Sequence, residues 1–402
     1  MEKNLQSNIW KYAILLIAHK RIFVAILGAY YLTIPDVTPK IIGIILLASS
    51  LSGFLLEIPS GYMSDKIGHK QALITSRVLM LLSTTFFLFA HNITFLMLGG
   101  IFLSAGAAFL SGTGSAFMHE TLRGLKREQD YVSVMGKVSS IGFAVPIVFM
   151  VLVPFLVSVS YTTPFIMALV IDLIGLWAAL SLTVPPVPQE HIEEIGATNF
   201  RQVMQEGYRL NYFSLALFSG IISGMLFGVG GFRAPYQTFL EIPVIWYGVF
   251  FGIGRALASL MLAYSGKIKK FFTFLSFYRF QLILYPLLII ILGTISTWWI
   301  AVFAFIVINA FQWGLSKIDG GYQMDIIRSS KFKATLLSTG SQIDQVVGAI
   351  SSFGIGFAIN RISYQYGFLS AGITLLVALL PLYLYIAHRY RAGVYKNTEV
   401  VN

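Results

Sequence analysis

A histidine, a lysine and an arginine stand side by side at His19, Lys20 and Arg21, in the middle of an apolar run reaching from residue 11 to residue 33. Arg255 and Asp344 interrupt two other apolar runs at similar depth, and Asp172 interrupts a third. A charge at the centre of a bilayer costs about 2.5 to 3.5 kcal/mol on insertion scales, so each of these residues needs a partner or a task. The chemistry open to them is ion binding and proton exchange. A basic cluster holds an anion, and a carboxylate paired with a guanidinium releases it on protonation. Arg255 with Asp344 is expected to form such a pair, read equally as a proton switch or as a permanent salt bridge between helices. Successive residues of a helix point about 100° apart, so one or two of the bases at 19–21 are open to pairing with nearby acids or to snorkelling. Glu57 and Arg77 flank a polar loop at 64–70 and are expected to pair with each other.

The elements that must hold these groups follow from composition. Of 402 residues 56% are hydrophobic and 11% charged, with no cysteine, and the mean hydropathy is +0.77. Such a chain is an all-α membrane protein, because long apolar runs without period-2 alternation satisfy their backbone only as helices. Runs of about 20 residues suffice to span. They fall near 11–33, 41–63, 71–90, 94–118, 132–157 and 162–184, and again near 211–236, 244–264, 272–294, 298–322, 335–359 and 367–388. Twelve transmembrane helices in two six-helix bundles, 1–184 and 211–402, are therefore expected, joined by a cytoplasmic linker at 185–210. Within that linker the stretch from Asn199 to Tyr208 is expected to form an amphipathic helix on the membrane surface. Alternate connections hold Lys3, Lys66, Lys70, Arg123, Lys126, Arg127, Lys267, Lys269, Lys270, Arg328, Arg389 and Arg391 among others, against Lys40 and Arg361 alone in the remaining ones. That asymmetry puts both termini in the cytoplasm. The net charge of +11 is spread over these short loops, which argues against nucleic acid. The N-terminal segment does not resemble a signal peptide.

The two halves echo each other. Ser64, Asp65, Lys66 and Ile67 correspond to Ser265, Gly266, Lys267 and Ile268, and Met118, Glu120 and Arg123 to Met324, Asp325 and Arg328. Between the second and third runs stands Gly61, Tyr62, Met63, Ser64, Asp65, Lys66, Ile67, Gly68, His69, Lys70. It resembles the loop 2 to 3 motif of the major facilitator superfamily, GxxxD(R/K)xG(R/K)(R/K), with a histidine at one basic position. The resemblance is strongest to the drug-exporter-like bacterial branch. It implies that Asp65 helps to close the cytoplasmic side, and the pairs expected from the residues themselves, Glu57 with Arg77, Glu120 with Arg123 and Asp325 with Arg328, are placed in one cytoplasmic network with it. Gly61 is expected to permit a close helix approach and Gly68 a tight turn. It implies further that helices 1, 4, 7 and 10 line a central cavity and that helices 3, 6, 9 and 12 are peripheral, which gives Asp172 the weaker claim to a proton role. Two departures stand out. Gly100 occupies the position of the central arginine of proton-driven exporters in helix 4, and the helix 5 antiporter motif is not recognisable around Gly136, Gly142 and Pro146.

No phosphate loop, zinc spacing or nucleophile elbow is present, so no enzymatic activity, metal or cofactor is expected, and energy must come from a proton or other ion gradient. The glycine-rich run SGMLFGVGG before Arg233, Tyr236 and Gln237 is open to two readings, a bend or close helix packing. The sequence points to a secondary active transporter in a bacterial inner membrane, monomeric, exporting a small organic molecule in exchange for protons. An organic-anion transporter, siderophore-like cargo included, and a lipid flippase are the alternatives.

Overall fold

The computed structural model describes residues 2–111, 113–186, 200–327 and 333–395. Among these residues every regular element is helical, as a backbone deprived of water requires. In chain order the helices are α1 (Glu2–His19), α2 (Leu27–Tyr31), α3 (Pro39–Ile67), α4 (His69–Leu88), α5 (Ile93–Leu110), α6 (Thr113–Gly124), α7 (Tyr131–Leu156) and α8 (Thr163–Leu180). After α9 (Phe200–Arg209) come α10 (Tyr212–Gly231), α11 (Arg233–Phe239), α12 (Ile245–Ala263), α13 (Ser265–Lys269), α14 (Phe274–Thr294), α15 (Trp298–Gly314), α16 (Ser316–Ile326), α17 (Lys333–Arg361) and α18 (Tyr364–Arg391).

Eleven helical stretches among the described residues are long and apolar enough to cross a membrane. They coincide with the second to the twelfth apolar runs of the sequence. Three of them are composite: α5 with α6, α10 with α11, and α15 with α16. The first run is not one helix. α1 stops at His19, Arg21 is extended (φ −71°, ψ 109°), a 3-10 turn follows over Ile22–Ala25, and α2 begins at Leu27. Three consecutive bases thus sit where the helix breaks, and not on the face of a continuous one.

The chain forms two compact units, one of Met1–Val37, Ala48–Glu194 and Pro243–Gly252, the other of Thr38–Leu47, Ile195–Ile242 and Ile253–Asn402. In the first, α1 packs on α7 and α8, and α4 on α5 and α8. The segment of α12 within this unit lies on α7 through glycines: a Cβ on Gly248 would stand 2.2 Å from the Met150 carbonyl oxygen. In the second, α10 lies along α17, and α14 along α18. The start of α3 joins α17 in the same manner, since a Cβ on Gly43 would lie 2.7 Å from the Ser352 carbonyl oxygen. α9 packs through Val203, which is fully buried, and through Gly207, whose Cβ would meet Phe213 and Leu336. Tyr208, near the end of α9, is 69% exposed, so the face that α9 buries centres on Val203 and Gly207.

The glycine-rich run does not bend its helix. α10 is continuous to Gly231, and Gly220, Gly224 and Gly228 form the face that meets α17. A Cβ on Gly224 would lie 2.6 Å from the Gly348 backbone nitrogen, whereas one on Gly230 meets nothing within 4 Å. Gly224→Ala is therefore expected to cost about 1–3 kcal/mol through forced separation of the two helices, and Gly230→Ala to be close to neutral. Thermal unfolding of the detergent-purified variants reads the difference; equal midpoints would contradict the packing account.

Candidate functional site

In the first unit the break after α1 is fastened to α8. Arg21 donates from Nη2 to Asp172 Oδ1 at 2.7 Å and from Nη1 to Oδ2 at 2.8 Å. Thr84 on α4 donates to the same carboxylate and accepts from Arg21 Nη1 at 3.1 Å. The guanidinium also donates to the carbonyls of Ala18 and His19, groups that the end of a helix leaves without an intrahelical partner. Asp172 is 1% exposed and Arg21 9%. Two parallel charge-assisted bonds fix the pair in orientation as well as in charge.

Arg77 belongs to this cluster and not to Glu57. It is fully buried, and its Nη2 donates to His19 Nδ1 at 3.2 Å. A guanidinium only donates, so Nδ1 accepts, the ring proton is on Nε2, and His19 is neutral in this arrangement. Glu57 instead accepts from Ser111 Oγ at 3.2 Å. Depth in the bilayer suggested the Glu57–Arg77 pair; the rotation of the helices about their axes decided otherwise.

In the second unit α16 contributes a carboxylate, Asp319, that its sequence context does not single out. Asp319 accepts from Ser219 Oγ at 2.9 Å and Tyr278 Oη at 3.2 Å on Oδ1, and from Gln323 Nε2 at 2.8 Å on Oδ2. Tyr212 Oη donates in turn to Gln323 Oε1 at 3.3 Å. Asp344 on α17 comes to the next residue of α10: a Cβ on Gly220 would lie 3.1 Å from its Oδ1. It feels the charge of Asp319. Among the described residues no ion pair involves either aspartate. Arg255 is not the partner of Asp344. Its guanidinium lies over Trp313, 4.2 Å from the ring centroid, a cation–π arrangement. Asp319 was missed because it stands close to the polar end of its apolar run, where a carboxylate is unremarkable; its signal was an acid within SKIDGG, ahead of Asp325.

The signature loop joins α3 to α4 in the first unit. Gly68 has φ 96°, in the left-handed region that favours glycine, and begins the turn into α4. His69 spans two helices, with Nδ1 2.7 Å from Ser64 Oγ and Nε2 3.2 Å from Glu120 Oε1. Lys66 lies 5.7 Å from the Tyr62 ring centroid, and Lys70 is half-buried. A Cβ on Gly61 meets nothing within 4 Å, so the close approach expected there is not made in this structure. The side chain of Asp65 and the whole of Arg328 lie outside the described residues. Arg123 pairs with Glu128 at 3.4 Å, and Asp325 with Lys269 at 3.3 Å. One pattern thus occurs twice: Glu120 on α6 meets His69 at the start of α4, and Asp325 on α16 meets Lys269 on α13.

The family model described as Major Facilitator Superfamily matches residues 12–319. No curated protein matches. Among solved structures, the nucleoside transporter NupG is similar with 12% identity and a TM-score of 0.74, covering 95% of this chain and 99% of that one. A bacterial homolog of the human lysosomal transporter Spinster, inward-facing and unoccupied, gives 14% and 0.72 over 100% and 98%. A POT family transporter bound to a thioalcohol-conjugated peptide gives 14% and 0.70 over 98% and 96%. At these identities the likeness is one of fold.

The buried Arg21–Asp172 bridge generates a stability test. Asp172→Asn leaves a guanidinium without its counter-ion and is expected to cost about 3–5 kcal/mol. Adding Arg21→Gln removes the stranded charge and should recover part of that loss. Unfolding midpoints of the two single variants and the double variant measure the coupling; strictly additive losses would show that the pair does not act as one.

Proposed function

This chain belongs to the Major Facilitator Superfamily, and from that premise we propose that it moves a small organic molecule outward in exchange for protons, by alternating access. It is a multi-pass membrane protein and a secondary transporter, not an enzyme. In the proposed arrangement the broken first segment crosses with the eleven longer helical stretches, giving twelve spans, cytoplasmic termini and halves at 1–184 and 211–402 in a bacterial inner membrane.

One observation carries the proton reading: the two aspartates of the second unit meet α10 at successive residues, Ser219 and Gly220, with no base in an ion pair with either among the described residues. Two carboxylates in one apolar setting do not both stay ionised without a counter-charge. Their roles divide by hydrogen bonding. Asp319 accepts three donors, the environment that suits an ionised carboxylate. Asp344 receives no described side-chain donor, which leaves it to take up and release the proton. The commitment of Arg21 to Asp172 weighs against an organic-anion cargo, for which that base was a motive. Drug-like molecules, nucleosides and peptides are the cargo classes to screen, the last two because similarly folded transporters handle them.

A thermal-shift screen over these classes at two pH values supplies a cargo, whose flux is then driven by a pH gradient in proteoliposomes. Asp344→Asn is expected to lower that flux at least about tenfold, equivalent to ~1.4 kcal/mol, while cargo still binds. Asp319→Asn should lower it too and also weaken the fold around Tyr278. Unchanged gradient-driven flux in Asp344→Asn would remove the coupling role.

A further inference from the structure

The first unit contains a guanidinium that its protein surroundings leave uncompensated. Arg77 is fully buried, and neither Nε nor Nη1 has a hydrogen-bond acceptor among the described residues. Its third nitrogen, Nη2, contacts neutral acceptors only, His19 Nδ1 at 3.2 Å and Ser76 Oγ at 3.4 Å. Asp172 is the one acid whose charge Arg77 feels, and both oxygens of that carboxylate are already held by Arg21. The cluster therefore sets two guanidiniums against one carboxylate, with His19 neutral. Arginine does not shed its proton in proteins, and a buried charge without a partner is among the costliest arrangements a fold can carry. Water satisfies the two N–H directions and leaves the charge imbalance where it was. An anion answers both.

The unpartnered edge lies beside Gly175 of α8, against which Ala18 of α1 also packs, 2.6 Å from where a Cβ would stand. A Cβ on Gly175 would lie 3.5 Å from Arg77 Cδ and 3.8 Å from Nη1. Tyr12, buried on α1 with its hydroxyl against Gly114 of α6, is near enough to register the Arg77 charge. Full burial excludes an organic acid and favours an ion without substituents. We propose that the first unit binds a halide-sized inorganic anion, chloride in the cell, against Nε and Nη1 of Arg77 between α1, α4 and α8. The site is separate from the aspartate pair of the second unit and does not rest on the proton reading.

The probe is chloride itself. The unfolding midpoint of the purified chain is measured over rising sodium chloride, with sodium gluconate holding ionic strength constant. The expected result is a rise of roughly 2 °C from millimolar to half-molar chloride, reproduced by bromide and absent in Arg77→Gln. Because Arg77→Gln is itself open to misfolding, a second measurement uses the unaltered protein: crystals grown in bromide should give an anomalous peak beside Arg77 Nη1. A midpoint indifferent to chloride, or a bromide map with no peak at Arg77, overturns the proposal and assigns the position to water.

Discussion

Charge is the constraint on which this structure turns. An apolar chain in a bilayer acquires its helices almost automatically, since nothing but the helical ladder satisfies its backbone. What does not come automatically is a home for the ionised groups between those helices. Arg21 and Asp172 meet this demand beside a break in the first apolar run: the helical ladder stops at residues 20–21, where the guanidinium reaches α8 and also satisfies the carbonyls of Ala18 and His19 that the break exposes. The break and the pair occur together, and the neutral state of His19 follows from the position of Arg77 beside it.

The two units answer the same constraint with opposite signs. In the first, basic groups outnumber acids around Asp172. In the second, Asp319 and Asp344 gather among hydroxyls and an amide, while Arg255 turns to the face of Trp313. Elsewhere the units are alike. Each has an acid–base contact between its repeat loop and the end of its fourth helical span, His69 with Glu120 and Lys269 with Asp325. Such half-exposed pairs contribute little to stability, so their recurrence speaks for duplication and for a common task at the helix ends more than for energy. Helix contacts in both are made through glycine, which lets backbones approach where lipid offers no hydrophobic contrast to drive association.

Much of this was legible in the residues. Apolar runs gave eleven of the helical stretches to within a few residues, and the loop from Gly61 to Lys70 gave the family. Gly68 adopts the backbone conformation that its place in the motif requires. Pairings were not legible, and the reason is specific. Depth along a helix can be counted from its ends, but azimuth accumulates at about 100° per residue, and an error of one residue in phase points a side chain at another neighbour. Glu57 with Arg77 and Arg255 with Asp344 were matched by depth alone, and the structure gives each of the four different surroundings. Asp319 escaped notice for a related reason: near the end of an apolar run an acid reads as a solvated one, until three donors are seen around it.

A proton-coupled transporter, as proposed here, needs one group whose charge is allowed to change inside the membrane, among others whose charge is held. Arg21, Asp172 and Asp319 are held by their donors and acceptors. In the proposed mechanism Asp344 is the group whose charge changes. Infrared difference spectroscopy of the purified protein across a pH step tests that division directly. A protonated-carboxyl band that appears and vanishes with pH in the unaltered chain, and is missing from Asp344→Asn, is the predicted result. The same band persisting undiminished in Asp344→Asn, or no such band in the unaltered protein, would contradict the account.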